Sequence, residues 1–142
     1  MLNPIKKKIL TKLINNGIKS SSEKILKKTI KTLQKNSKKN HKEILKKAMI
    51  NSSPIVKVKQ IKRRRKQIKE FPYIISKNLR LSFGLKSMFK VINSKKKMNY
   101  FYKELVEELL LTATNKSIST KVKKDIHEHA FKTKKYANFR WF

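Results

Sequence analysis

The sequence contains no cysteine and only two glycines. Without cysteine there is no disulfide framework and no zinc ribbon, which excludes small secreted scaffolds and most structural metal modules. Gly17 and Gly84 are too few for a glycine-rich phosphate loop. No stretch approaches the ~20 apolar residues that a transmembrane helix needs. The absences therefore exclude several common classes of protein at once.

Side chains for acid–base catalysis are also scarce, with eight Asp and Glu and three His. His127 and His129 are two residues apart, which on a helix points them to different faces, and no cysteine completes a metal site. We interpret them as ordinary, partly exposed histidines. Glu104, Glu107 and Glu108 fit the polar face of one helix better than a catalytic carboxylate pair. The sequence therefore predicts a non-enzyme with no metal, cofactor or small-molecule substrate.

Positive charge is the dominant property of the chain. The 39 Lys and Arg against 8 Asp and Glu give a net charge of +31, and all but five of the cations are lysine. Because such a surface repels itself, the folded state needs a polyanion beside it, and nucleic acid is the default partner. Leu, Ile, Val and Phe still make up 41 of the 142 residues, which is enough for one modest core. We predict a single domain over residues 1–142.

The first 54 residues predict three short amphipathic helices. Pro4 suits a first helical position, and the turn residues 15–17 end that helix. Ser20 and Glu23 form a capping-box pattern at the start of a second helix. Asn40 begins a third helix in the same way, and lysine occupies every exposed face.

The periodicity then changes to that of β-strands. Residues 55–61 alternate between apolar and basic, and residues 71–75 form a second strand that contains Pro72. The pattern predicts a two-stranded hairpin over about residues 55–75. Because an isolated hairpin is marginal in water, helices or a ligand should brace it. Its connection is dense in basic residues, namely Lys62, Arg63, Arg64, Arg65, Lys66 and Lys69.

Helical spacing returns after Ser76 and predicts three more helices. Gly84 lies on the apolar side of the fourth helix, where it would allow another helix to approach closely. Asn115 and Lys116 end the fifth helix, and the sixth begins near Ser119 or Thr120. The predicted fold is mainly α, a six-helix domain with a two-stranded β-hairpin inserted between the third and fourth helices.

Binding chemistry concentrates in the cationic run of the hairpin. Arginine binds phosphate bidentately and stacks on bases, and three of the five arginines lie in this run. Lys6, Lys7 and Lys8 form a weaker candidate, since a polar helix face explains them equally well. Arg140 and Trp141 could stack on an RNA base or pack the C-terminus down. These features favour contacts with the backbone and shape of folded RNA over base-specific reading.

Short motifs follow one another along the chain in a characteristic order. They are Gly17–Glu23, Pro54–Lys59, the turn Asn115–Ser117, and a C-terminal series from Asp125-Ile126-His127 to Phe139-Arg140-Trp141. The sequence resembles the small-subunit ribosomal protein seven family, which has Gly-Lys-Lys-Ser-x-Ala-Glu, Pro-Thr-Val-Glu-Val-Lys, Asn-Lys-Gly, and Asp-Val-His to Tyr-Arg-Trp in these places. The likeness covers almost the whole chain. One departure is that Arg64, Arg65 and Lys66 replace the family's Gly-Gly hairpin turn.

The resemblance implies a place in the head of the small ribosomal subunit. It implies that the chain binds the 3′ major domain of the small-subunit rRNA, nucleates head assembly and lies near the tRNA and mRNA exit region. The implied partners are that rRNA, neighbouring head proteins, and exit-site tRNA and mRNA. The residues that we predict to bind rRNA are Lys6, Lys7, Lys8, Lys57, Lys59, Lys62, Arg63, Arg64, Arg65, Lys66, Lys69, Lys77, Asn78, Arg80, Lys116, Arg140 and Trp141.

Two other classes fit the charge alone. A free nucleoid-type DNA-binding protein would use minor-groove or backbone contacts. A membrane-surface protein would use the lysine-rich amphipathic helices. Neither class requires the inserted hairpin or the C-terminal motifs, so the ribosomal interpretation is preferred.

The bias toward Lys, Asn and Ile indicates an AT-rich genome. The first twenty residues are rich in lysine, unlike the arginine-rich composition of a usual transit peptide. We therefore hypothesise an organelle-encoded protein, in the mitochondrion rather than the plastid, with an AT-rich bacterium as the alternative.

Overall fold

The computed structural model describes residues 4–14, 16–37, 40–62, 68–94 and 100–138. Within these ranges the chain forms six α-helices and one antiparallel hairpin, which lies between the third and fourth helices and confirms the predicted fold. The elements in chain order are α1 (Pro4–Leu13), α2 (Lys19–Asn36), α3 (His41–Ser52), β1 (Val56–Lys62), β2 (Ile68–Ile74), α4 (Lys77–Ser94), α5 (Phe101–Ala113), α6 (Ile118–Lys132) and a short 3-10 helix, η1 (Lys134–Tyr136).

The hydrophobic core lies between the helices, with α5 packed against α2, α3 and α4. Leu33, Ala48 and Leu109 are among its fully buried residues. Gly84 of α4 faces the end of α3, where a Cβ atom would lie 2.8 Å from the Oγ atoms of both Ser52 and Ser53. The predicted close approach at Gly84 is therefore confirmed.

The helix boundaries follow local signals in most places. Pro4 is the first residue of α1, and Asn40 caps α3 by accepting a hydrogen bond from the backbone N–H of Lys42. The capping box at Ser20 is wrong, because α2 begins at Lys19 and Ser20 lies inside the helix. The N-cap residue is Ile18, which makes no side-chain hydrogen bond. The buried hydroxyl of Ser22 donates to the carbonyls of Leu13 and Ile18 and so joins the start of α2 to the end of α1.

The turn between α5 and α6 also has a defined geometry. Asn115 has a positive φ of 61°, and the backbone N–H groups of Asn115 and Lys116 donate to the carbonyls of Thr112 and Leu111. This is a Schellman ending, and it confirms the predicted end of α5. The sixth helix starts slightly earlier than predicted, at Ile118, because Ser117 caps it.

The hairpin pairs Val56 with Ile74 at its base and Lys62 with Ile68 at its far end. The second strand therefore begins earlier than the predicted residue 71. Helix α6 packs against both strands, so the expected bracing by helices is confirmed. Ile75 donates its backbone N–H to the carbonyl of Ile55 at 3.0 Å, which closes the base of the hairpin.

Candidate nucleic-acid interface

The two faces of the hairpin have different neighbours. The Val56 and Pro72 side lines a groove together with Ala130 and Phe131 of the C-terminal region. On the other side, Lys57 is half-buried, with its Nζ 4.1 Å from the centre of the Phe83 ring in α4. The predicted alternation of apolar and basic faces along β1 is confirmed. Lys57, on the basic face, also packs against α4 and is not only a solvent-exposed charge.

Further along the hairpin, two basic side chains have a described exposure. Lys59 and Lys69 are exposed. Lys62 is the last residue of β1. Predicted contacts that fall outside the described residues are Arg63, Arg64, Arg65 and Lys66 in the hairpin, and Arg140 and Trp141 near the C-terminus.

The structure brings together two predicted contact segments that are far apart in sequence. Lys8 of α1 donates a hydrogen bond from Nζ to the backbone carbonyl of Asn78 in α4, at 3.1 Å and across 70 residues. Lys77 and Asn78 are exposed beside it. Arg80 donates from Nε to the carbonyl of Ile75 at 2.7 Å, which ties the start of α4 to the base of the hairpin. Lys8 of α1, the start of α4 and the base of the hairpin therefore adjoin one another.

The remaining predicted residues are placed differently. Lys7 is exposed on α1, whereas Lys6 lies 3.2 Å from the Nε2 atom of His41. Burial, followed by the charges of Lys6 and Lys42, lowers the pKa of His41. Lys116 is exposed in the turn between α5 and α6, before the first residue of α6. The contact of α6 with the start of the hairpin is made by His127, nine residues after Ile118.

The histidines of α6 attach this helix to the hairpin. The Nε2 atom of His127 accepts the backbone N–H of Ile55 at 3.1 Å, and the Nε2 atom of His129 lies 3.1 Å from Glu70. Burial, and secondarily the charge of Lys123, lowers the pKa of His127. In the described part of the chain, no three acidic or histidine side chains come together as metal ligands.

The glutamates of α5 correct the sequence interpretation. Only Glu107 is exposed; Glu104 and Glu108 are buried, at 8% and 1% exposure, because α5 is surrounded by other helices. The Oε1 atom of Glu108 accepts hydrogen bonds from Ser119 at 2.9 Å, from Thr112 at 3.3 Å and from Ser117. These hydroxyl donors compensate the buried carboxylate and fix the turn between α5 and α6. In the sequence, the only indication that Glu108 is a buried acceptor is the pair of serines, Ser117 and Ser119, at the start of α6.

Comparison with known proteins agrees with the fold. The family described as Ribosomal protein S7p/S5e matches residues 2–134. The chain belongs to this family. The protein named Small ribosomal subunit protein uS7 from Carsonella ruddii is 31% identical over 134 residues, which cover 94% of this chain and 84% of that protein. Its namesake from Kosmotoga olearia is 30% identical over 137 residues, covering 94% and 87%. The one from Caldicellulosiruptor saccharolyticus is 25% identical, covering 94% and 85%.

Membership of the S7 family confirms the resemblance seen in the sequence. The family is structural and not enzymatic, which confirms the prediction of a non-enzyme. Within the described ranges, no helix combines the length and the apolar character needed to span a bilayer. The buried Glu108 and the hairpin contacts of His127 are thus parts of a scaffold that presents basic side chains.

Proposed function

We propose that the chain is a structural constituent of the small ribosomal subunit that binds the 3′ major domain of its rRNA and nucleates assembly of the head. Membership of the S7 family supports the ribosomal role, and the relatives are named as small-subunit proteins. The observation that carries the rRNA assignment is the adjacency of α1, the start of α4 and the hairpin, made by Lys8, Arg80 and their backbone partners.

Binding follows from the charge of this surface. Each lysine or arginine that neutralises a phosphate releases a condensed counterion, so affinity comes from the RNA backbone and depends on salt. A net charge of +31 supplies the long-range attraction, and the packing of α6 against both strands holds the hairpin against the helical part of the domain. A ribosomal protein uses this rigidity to select the shape of a folded RNA.

We also propose which partners surround the chain in the head of the subunit and in which compartment it acts. The chain contacts neighbouring head proteins and lies near the exit-site tRNA and the mRNA, as the family resemblance implies. It acts in the mitochondrial ribosome, a placement supported by the Lys, Asn and Ile bias; a plastid and an AT-rich bacterium are the alternatives. Free nucleoid binding to DNA is not favoured, since the match to a ribosomal family spans residues 2–134.

The test is a titration of the purified chain with a 3′ major-domain rRNA fragment at several salt concentrations. The logarithm of the association constant should decrease linearly with the logarithm of the salt concentration, with a slope of several units. Each phosphate contact contributes ~0.7–0.9 to the magnitude of that slope. Replacing Arg63, Arg64 and Arg65 by alanine should reduce that slope by about 2 to 3. The matched control removes three exposed lysines of α2, by Lys24→Ala, Lys27→Ala and Lys31→Ala. If the slope decreases by the same amount in both variants, or if the wild-type slope is near zero, phosphate binding by the hairpin arginines is refuted.

A further inference from the structure

The start of α5 carries two tyrosine rings outside the hydrophobic core. Tyr100 is 70% exposed, the highest value among the large hydrophobic side chains of the described residues. Its ring stacks on that of Tyr102, with 5.8 Å between centroids and 29° between planes. Phe101, between them, points inward and stacks on Phe89 at 6.1 Å. The fold therefore packs the half-buried Phe101 ring toward the core and leaves Tyr100 exposed, stacked on the half-buried Tyr102.

Two ammonium groups border this pair. The Nζ atom of Lys103 lies 5.5 Å from the centre of the Tyr100 ring, and the Nζ atom of Lys28, on α2, lies 5.8 Å from that of Tyr102. Both distances fall within the ~6 Å over which a cation polarises an aromatic ring. The two lysines thus come from different helices, and each borders one ring of the pair.

The pair lies away from the interface described above. Phe89, which stacks on the neighbouring Phe101, is twelve residues after Lys77 on α4, or about 18 Å along the helix at ~1.5 Å per residue. The hairpin and Lys8 adjoin the opposite end of α4. An RNA contact at Tyr100 would therefore be a second, separate one.

We propose that Tyr100 and Tyr102 form a stacking site for an unpaired RNA nucleotide, with Lys28 and Lys103 neutralising the phosphates on either side. A base stacked on the exposed ring of Tyr100 extends the existing pair, and every base has a face that can do so. An exposed tyrosine also suits a protein partner, but two bordering lysines in a chain of net charge +31 favour a polyanion. The inference rests on the proposed function in that the chain binds RNA.

The test compares Tyr100→Ala with Tyr100→Phe, which keeps the ring. The probes are an octauridylate that carries one 2-aminopurine and an abasic ribose-phosphate oligomer of the same length. The wild type and Tyr100→Phe should prefer the base-containing probe by about tenfold and quench its 2-aminopurine fluorescence. Tyr100→Ala should lose most of both effects with an unchanged salt slope, because no charge is removed. Circular dichroism should show all three proteins equally folded, since the Tyr100 ring is mostly exposed.

Equal affinity ratios for wild type and Tyr100→Ala would overturn the proposal and leave a protein partner as the use of the pair. A loss in Tyr100→Phe as large as that in Tyr100→Ala would overturn it as well, since the ring alone should suffice. The variant with Arg63, Arg64 and Arg65 replaced by alanine separates the two claims. It should keep the base preference for the octamer even where binding to the rRNA fragment is lost.

Discussion

The imidazole of His127 accepts a hydrogen bond from the backbone N–H of Ile55, with 3.1 Å between the two nitrogens. This contact spans 72 residues and joins α6 to the residue at which the hairpin begins. Because Nε2 is the acceptor, the ring is neutral and carries its proton on Nδ1. Protonation of His127 would therefore remove this one contact between α6 and the start of the hairpin.

Acidification should therefore destabilise the fold through His127. Its pKa is below the ordinary 6.5, so the free energy of unfolding is highest above about pH 6.5 and decreases as the pH falls through the lower folded-state pKa. Urea unfolding at about pH 7 and about pH 5 measures this change. His127→Gln should show a smaller decrease than the wild type. Part of the decrease should remain, because the pKa of His41 is lowered too. An unchanged decrease in His127→Gln would contradict the assignment.

Glu108 should matter far more to stability than its neighbour Glu107. Replacing Glu108 by alanine leaves the buried hydroxyls of Thr112, Ser117 and Ser119 without their shared acceptor, which costs about 2–4 kcal/mol of unfolding free energy. Glu107→Ala, at an exposed position one residue away, should cost less than about 0.5 kcal/mol. Glu108→Gln keeps one oxygen acceptor and should fall between them. Equilibrium urea denaturation gives all three values, and similar costs for Glu107→Ala and Glu108→Ala would rule out the network.

Gly84 should tolerate no side chain. A Cβ atom would lie 2.8 Å from the Oγ atoms of Ser52 and Ser53 and 3.1 Å from the backbone nitrogen of Ser53, so the two serine side chains or the helices themselves must shift. Gly84→Val should lower the unfolding free energy by about 1–3 kcal/mol, and Gly84→Ala by a smaller amount of the same sign. Lys86→Ala, exposed on the same helix, is the control for helix propensity. If Gly84→Ala raises the unfolding free energy, the space between α3 and α4 can accommodate a Cβ atom and the close packing is contradicted.

Lys57 should contribute to stability as well as to RNA binding. Its ammonium group, 4.1 Å from the centre of the Phe83 ring, makes a cation–π contact worth about 0.5–1 kcal/mol. Lys57→Ala should lose that amount in thermal or urea unfolding, whereas Lys57→Arg should retain most of it. Lys7→Ala, at an exposed position on α1, removes the same charge without a ring contact. If Lys57→Ala and Lys7→Ala have the same stability, the contact with Phe83 is not stabilising.

Local signals in the sequence predicted the elements because their causes are local. Pro4, the Asn40 cap and the positive φ of Asn115 each act within a few residues, and strand alternation depends only on neighbours. The predicted cap at Ser20 was wrong because α2 begins one residue earlier, with Ile18 as an N-cap that makes no side-chain hydrogen bond. The burial of Glu108 was hidden because helical periodicity alone cannot show which polar positions other helices cover.

The sequence indicates which residues belong to the candidate interface, but it does not indicate how those residues are arranged in space. Periodicity indicates that Lys8 and Asn78 belong to amphipathic helices, but only packing places them 3.1 Å apart across 70 residues. The tyrosine pair at α5 had no distinct signal either, because an aromatic residue in a helix usually belongs to the core. Which rings remain exposed is decided by the packing of Phe101 on Phe89.

UV crosslinking in native lysate, followed by sequencing of the attached RNA, determines whether this chain binds the 3′ domain of small-subunit rRNA. If it does, crosslinks should concentrate in the 3′ domain of one small-subunit rRNA, whose own sequence identifies the compartment. Crosslinks scattered over many RNAs, or recovery of DNA in place of rRNA, would contradict it.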